Sequence, residues 1–260
     1  MRSANDSLKT VTVPHEPDGM PPIAGVLFDL DDTLINRAAT VDQFLVAHCD
    51  RVGLAACATA YSRRFHELDA NGYADRDDLF TQLAAEFPGP TREVLRRDFE
   101  EHVWRACVVV PGGREVLDAC RAAGHRVGVV TNGSAESQHA KLANAGLLAL
   151  LDAVVISGVD GVAKPAREAF HLAASRLGIA PSGCVFVGDN PHTDVEGARR
   201  AGLTAAWFRG RLPWPSELPA PVHVITTLGA VPELLARLAH PMREHPMREH
   251  PMLQRRTAAE

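Results

Sequence analysis

Lysine is nearly absent from this chain: Lys9, Lys141 and Lys164 are the only three in 260 residues, and arginine supplies the rest of the positive charge. Long apolar runs are missing too, and no segment approaches the ~20 residues that a membrane-spanning helix requires. The first 22 residues carry charges and prolines but no apolar stretch of the kind found in secretory signals. No basic stripe is present. With a net charge of -5 and a pI near 6.2, neither a nucleic acid nor a membrane is an expected partner, and any phosphate binding must be local. The five cysteines, Cys49, Cys57, Cys107, Cys120 and Cys184, are odd in number, scattered and without a C-x-x-C pair. That pattern indicates neither a disulfide framework nor a zinc site, so a reducing, cytoplasmic location is expected.

What the chain does have is an ordinary globular balance, 46% hydrophobic and 23% charged, in a length that suits one sizeable core plus a smaller unit. Residues 1–22 lack periodicity and read as a flexible lead-in. Ile23–Leu30 is then a compact apolar run ending in acids, the pattern of a strand buried on both faces. From about Thr40 to Ala106 the spacing is helical, with Leu79, Leu83 and Phe87 on one stripe and Leu95, Phe99 and Val103 on another. Breaks at Gly53, Asn71-Gly72 and Pro88-Gly89-Pro90 divide this stretch into about four helices, a small helical domain inserted after the first strand.

Beyond Pro111-Gly112-Gly113 helix and strand alternate, which implies parallel strands joined by right-handed crossovers. The spacing predicts helices over Glu115–Ala123, Glu136–Ala145, Glu168–Leu177 and Val195–Ala201. It predicts strands over Arg126–Val130, Ala153–Ile156, Cys184–Val187, Thr204–Phe208 and Val222–Ile225. The fold class is therefore α/β: a doubly wound, parallel-sheet Rossmann-like core with an inserted small α-helical cap domain. The tail repeats HPMRE from His240, with proline too frequent for a continuous helix. Its histidines could bind nickel or zinc; a low-complexity extension is the preferred reading.

Four short clusters fall at the carboxyl ends of four successive expected strands, where ligands of such sheets bind: Asp29-Leu30-Asp31-Asp32-Thr33, Thr131-Asn132-Gly133, Lys164-Pro165, and Gly188-Asp189-Asn190 with Asp194. Together they meet the needs of a phosphoryl group. Asp29 and Asp189 are hard oxygen ligands suited to Mg²⁺; Thr131 and the amides after it can donate to phosphate oxygens; Lys164 supplies a balancing charge. Capping the next helix is an alternative role for Asp32, Asp194 and Thr131, and a lone Lys164 would ordinarily be a solvated surface residue. Asp29 and Asp31 flank a leucine at the end of an apolar strand, where carboxylates have little structural use.

These residues resemble the haloacid dehalogenase superfamily, whose first motif, DxDx[TV], is matched by Asp29–Thr33 within VLFDLDDTL. Val130–Gly133, Lys164-Pro165 and Gly188-Asp189-Asn190 through Asp194 are similar to its second, third and fourth motifs. The resemblance covers roughly Ile23 to Leu235, and the helical insert is similar to the C1 cap of subfamily I. It implies a core over residues 23–36 and 109–236, a cap over 37–108 and a tail over 237–260. It also implies that Asp29 is nucleophile and Mg²⁺ ligand, and that Asp31 is general acid and base and offers its carbonyl to the metal. Thr131, Asn132 through its backbone, and Lys164 would hold phosphate; Asp189 would complete the metal site, with Asp194 supporting the metal through water.

Within the superfamily, haloacid dehalogenases proper lack the second aspartate of the first motif, so Asp31 argues against their chemistry. Phosphonatases use a cap lysine, and Arg37 to Val110 contains none. The expected function is hydrolysis of a small phosphorylated metabolite by a Mg²⁺-dependent phosphatase through an aspartyl-phosphate on Asp29. A phosphomutase, distinguished by a bisphosphate requirement, and a non-catalytic binding protein on the same fold are the alternatives. A receiver-like phospho-acceptor fits less well, because its acceptor would follow a middle strand where this chain has Thr131. Cap arginines Arg37, Arg51, Arg63, Arg64 and Arg76 could meet a second anionic group, although most on amphipathic helices are solvated. Substrate and oligomeric state stay open.

Overall fold

The computed structural model of the protein describes residues 23–239; the expected flexible lead-in and the whole HPMRE repeat from His240 lie outside the described residues. The apolar opening run becomes β1 (Gly25–Phe28), buried along its whole length. Four helices follow: α1 (Arg37–Arg51), α2 (Ala58–Asp69), α3 (Arg76–Glu86) and α4 (Arg92–His102). The remainder runs α5 (Gly113–Ala122), β2 (Arg126–Thr131), α6 (Ala135–Asn144), β3 (Ala153–Ile156), α7 (Ser157–Asp160), α8 (Arg167–Leu177), β4 (Cys184–Gly188), a π-helical turn Pro191–Glu196, α9 (Gly197–Arg200), β5 (Thr204–Phe208), β6 (His223–Ile225) and α10 (Val231–Ala239).

All strand pairings are parallel, in the order β3-β2-β1-β4-β5-β6. The chain moves outward from β1 through β2 to β3, then returns to lay β4 on the other side of β1. That reversal opens a crevice beyond the carboxyl ends of β1 and β4, the place where doubly wound sheets bind ligands. Both faces are covered, as a parallel sheet requires. Val116, Leu117 and Cys120 of α5, Leu142 of α6 and Leu234 and Leu235 of α10 pack on one face. Ala169, Phe170, Ala173 and Ala174 of α8 and Ala198 of α9 pack on the other.

Helices α1–α4 enclose a third cluster of their own, built from Phe44, Tyr61, Phe65, Phe80, Leu83 and Phe99 among others. Both expected stripes face it: Leu79, Leu83, Leu95, Phe99 and Val103 are buried. The two connections to the rest of the chain run side by side, with Asn36 N donating to Val108 O at 2.8 Å and Val110 N to Leu34 O at 2.8 Å.

Two expectations are corrected. Val195–Ala201 is not a single α-helix but the end of the π-helical turn leading into α9. The Asn190 side chain accepts from His192 N and Thr193 N at the start of that turn, and Asp194 is drawn inward to accept from Asn190 N, which widens it. The tail boundary at residue 237 falls inside α10, whose apolar face completes the core.

Candidate active site

Asp29, Asp31 and Asp189 sit where a strand gives way to irregular backbone. Asp29 follows β1 and its N–H donates to Val187 O of β4 at 2.9 Å, which locks the ends of the two strands together. Asp189 follows β4, and Trp207 Nε1 donates to its carbonyl at 3.0 Å. Asp194 projects from the π-helical turn. Carboxylate oxygens of Asp29, Asp189 and Asp194 lie within 4.8 Å of one another, all three buried.

Lys164 closes this cluster from the β3 side. Its Nζ donates to Asp29 Oδ1 and, at 2.7 Å, to Asp194 Oδ1. The Asn132 side chain braces it: Nδ2 donates to Lys164 O at 2.8 Å, and Oδ1 accepts from Lys164 N at 2.9 Å. Asn132 thus spends its amide on positioning Lys164, and only its backbone is left for the phosphate role expected of it. Thr131, at the end of β2, is buried; helix α6 is capped by Ser134 instead, which removes the capping alternative for Thr131. Capping also fails for Asp194, since Asn190 does that work. Asp32, at φ 59°, does serve the following helix, accepting from Arg37 N at 3.1 Å.

Three carboxylates against one ammonium leave a formal charge of -2, which one divalent cation balances. Burial raises Asp29 to about 7, with Asp194 and Asp31 adding to it and Lys164 opposing. Burial, reinforced by Asp29 and Asp194, lifts Asp189 to about 8. Carboxylates so crowded favour a cation or a proton, and their hard oxygens fit Mg²⁺. Burial disfavours the Lys164 charge, but Asp194 and Asp29 outweigh it and hold the ammonium well above the ordinary lysine range.

The carboxylate of Asp31 lies apart from that cluster. It accepts from Lys141 Nζ at 2.7 Å to each oxygen and from Gln138 Nε2 at 2.9 Å. Burial would raise Asp31, yet Lys141 and Gln138 bring it below the usual carboxylate range. Any link from Asp31 to a metal must therefore run through its backbone carbonyl. Sequence reading missed both partners, although Lys141 is one of only three lysines in the chain and so as conspicuous as Lys164.

A cavity of about 940 Å³ opens over these groups between the strand ends and the inserted helices, with Asp29, Thr131 and Lys164 below and Arg76, Phe99 and Trp104 above. Of the five cap arginines singled out from sequence, Arg37 and Arg76 line it, as do Arg96 and Arg105, and the first two bind Asp69: Arg37 Nη1 at 2.7 Å and Arg76 Nη1 at 2.6 Å. Arg51 pairs with Asp98, Arg64 with Glu86 and Arg63 with Glu67, all outside the cavity lining. Asn71 pins the cap to the core, donating to Asp32 Oδ2 at 3.2 Å while Arg211 Nη1 donates to its Oδ1 at 3.3 Å.

Among solved structures, a HAD-hydrolase from Bacillus subtilis bound to magnesium superposes with a TM-score of 0.68 at 21% identity, covering 83% of this chain and 99% of that one. Phosphoserine phosphatase of Thermus thermophilus is 36% identical over 142 residues, 53% of this chain; the match spans just over half, 56%, of that enzyme's length. A glyceraldehyde 3-phosphate phosphatase from Methanopyrus kandleri is 31% identical over 202 residues, 72% of this chain and 84% of that enzyme. Residues 23–202 match the haloacid dehalogenase-like hydrolase family, and with the acids of β1 and β4 converging at the crevice, the chain belongs to that family.

Proposed function

We propose that the protein is a Mg²⁺-dependent phosphatase that hydrolyses a small phosphomonoester through an aspartyl-phosphate on Asp29. The observation that carries this reading is the convergence of Asp29, Asp189, Asp194 and Lys164 on one buried point at the β1–β4 crevice. Asp29 and Asp189 would hold the metal directly, with the Asp31 carbonyl and Asp194 in support. A bound Mg²⁺ would supply positive charge to the phosphoryl oxygens and lessen their repulsion of an attacking carboxylate.

Lys164 engages Asp29 Oδ1, which leaves Oδ2 to attack phosphorus. The new Asp29 O–P bond forms as the bond from phosphorus to the leaving oxygen breaks. Thr131 Oγ1, the backbone N–H groups after it and Lys164 donate to the phosphoryl oxygens, where charge concentrates. An alkoxide leaving group needs a proton, and Asp31 gives it. Lys141 favours the Asp31 carboxylate in the resting protein. A phosphate dianion alongside counters Lys141 and returns Asp31 toward its acid form. The carboxylate left behind then takes a proton from water as that water attacks phosphorus, releasing inorganic phosphate and regenerating Asp29. Relatives named for phosphoserine and glyceraldehyde 3-phosphate support a small alkyl phosphate as substrate.

The test is hydrolysis of p-nitrophenyl phosphate with and without Mg²⁺ by the wild type and by Asp29→Asn. Turnover should require the metal and fall by at least about 10³-fold in the variant, because a neutral amide is a poor nucleophile and a poor ligand. An Asp29→Asn protein that melts like the wild type and keeps metal-stimulated turnover refutes the assignment.

A further inference from the structure

Lys141 is a buried ammonium that the catalytic steps above use only for its effect on the charge of Asp31, not for where it holds that carboxylate. Its side chain is enclosed by the Asp31 carboxylate, by Gln138 Oε1 at 2.6 Å and by the Trp104 ring, whose centroid lies 4.1 Å from Nζ. An ion pair in such a place is weak evidence of stabilisation, since apolar residues of similar volume often do as well. Its hydrogen bonds, however, have a direction that the donors and acceptors impose. An ammonium only donates, so the face of Gln138 turned to Lys141 must be its carbonyl. The Gln138 NH₂ is thereby committed to the opposite side, where it donates to both Asp31 Oδ2 and Thr131 Oγ1. With its oxygen already accepting from Gln138, the Thr131 hydroxyl keeps its own hydrogen for the cavity.

A second feature belongs to the same arrangement. Gly133, the glycine that ends the Thr131-Asn132-Gly133 cluster, has φ +145°, and a Cβ there would lie 3.0 Å from the Gln138 side chain. The missing side chain leaves Gln138 room to fold back beneath the turn. Lys141 and Gln138 are one turn apart on α6 and so share a face, directed at the strand ends.

We propose that Lys141 and Gln138 are positioning residues: a donor chain from Lys141 through Gln138 fixes the Asp31 carboxylate for proton transfer to the leaving group and turns the Thr131 hydroxyl toward phosphate. This rests on the phosphatase reading above. Lys141 itself touches no substrate atom in this scheme. Its roof, Trp104, comes from the segment that returns from the helical insert, and Asn144 Nδ2 fastens that segment by donating to Trp104 O at 2.7 Å. The Asp31 clamp is therefore complete only with the insert seated over the strand ends.

The experiment compares kcat/KM, which reports steps through the first phosphoryl transfer, for p-nitrophenyl phosphate and β-glycerophosphate at saturating Mg²⁺. A nitrophenolate leaves without protonation, whereas the glycerol alkoxide needs a proton. Lys141→Met should lower kcat/KM for β-glycerophosphate by about 10²-fold and for the aryl ester by no more than about fivefold, the difference being the general-acid contribution. Lys141→Arg, which restores charge and donors, should bring the ratio of the two back to within about threefold of wild type. Gln138→Leu should shift the ratio in the same direction as Lys141→Met, and it decides the matter if the methionine variant does not fold. Equal losses on both esters in a folded variant, or no loss, overturn the inference and leave the phosphatase reading standing. A wild type without Mg²⁺-dependent turnover of either ester overturns both.

Discussion

At the scale of single residues, the site depends as much on missing side chains as on charged ones. A Cβ on Gly188 would lie 2.5 Å from Asp194 Oδ2, so this glycine, which precedes Asp189 directly, lets Asp194 tuck beneath the end of β4 and reach Lys164. Gly188→Ala should push Asp194 away and weaken Mg²⁺ binding by roughly 10–100-fold, the usual range when a supporting contact of a metal site is lost. Isothermal titration calorimetry with Mg²⁺ checks this, and an unchanged affinity would show that Asp194 does not support the metal. Asp29, Asp31 and Asp189 stood out in the sequence because carboxylates at the ends of apolar strands have few structural uses, whereas Thr131, Lys164 and Asp194 each had an ordinary alternative that only the geometry weighs against. Gln138 and Lys141 did not stand out. On a helix such a pair reads as part of a solvated face, and only the fold turns that face toward Asp31.

At the scale of elements, apolar period located most helices and strands, and it failed where hydrogen bonding by side chains sets the backbone. The turn after β4 is the clearest instance, since Asn190 and Asp194 widen it to a π-helix that no apolar spacing encodes. Polar chemistry also runs through the centre of the inserted helices. His48 of α1 is fully buried, with Nδ1 2.6 Å from Asp98 Oδ2 of α4 and Nε2 3.0 Å from the Tyr61 hydroxyl of α2; Arg51 and His102 also reach Asp98. Burial lowers His48 from its usual range despite the pull of Asp98. A histidine with a depressed folded pKa contributes stability above its unfolded pKa and loses it as pH falls through the folded one. The inserted helices should therefore loosen as pH falls below about 6.5, the ordinary histidine value. Amide exchange, corrected for its intrinsic pH dependence, should quicken in α1, α2 and α4 more than in β1 and β4. Uniform protection across this range would contradict the assignment of His48 as neutral and buried.

At the scale of the whole molecule, the order of the strands does the assembling. Because the chain leaves β1 in one direction and returns beside it as β4, residues separated by 160 positions in sequence become neighbours at one opening, under a roof with its own aromatic core. The alternation of helix and strand made this sheet legible in advance. The chemistry of the roof was not, because Arg37 and Arg76, which a sequence offers as free cations, are both engaged by Asp69. No described helix is long and apolar enough to cross a membrane. The central claim, that this convergence makes Asp29 a nucleophile, is tested most directly by chemical trapping. The enzyme is quenched with borohydride during turnover of a phosphomonoester, and its peptides are mapped by mass spectrometry. Reduction of an acyl-phosphate should convert Asp29, and no other aspartate, into homoserine in a substrate-dependent manner. Trapping at a different residue, or phosphate release with position 29 left as unmodified aspartate throughout, would contradict the account.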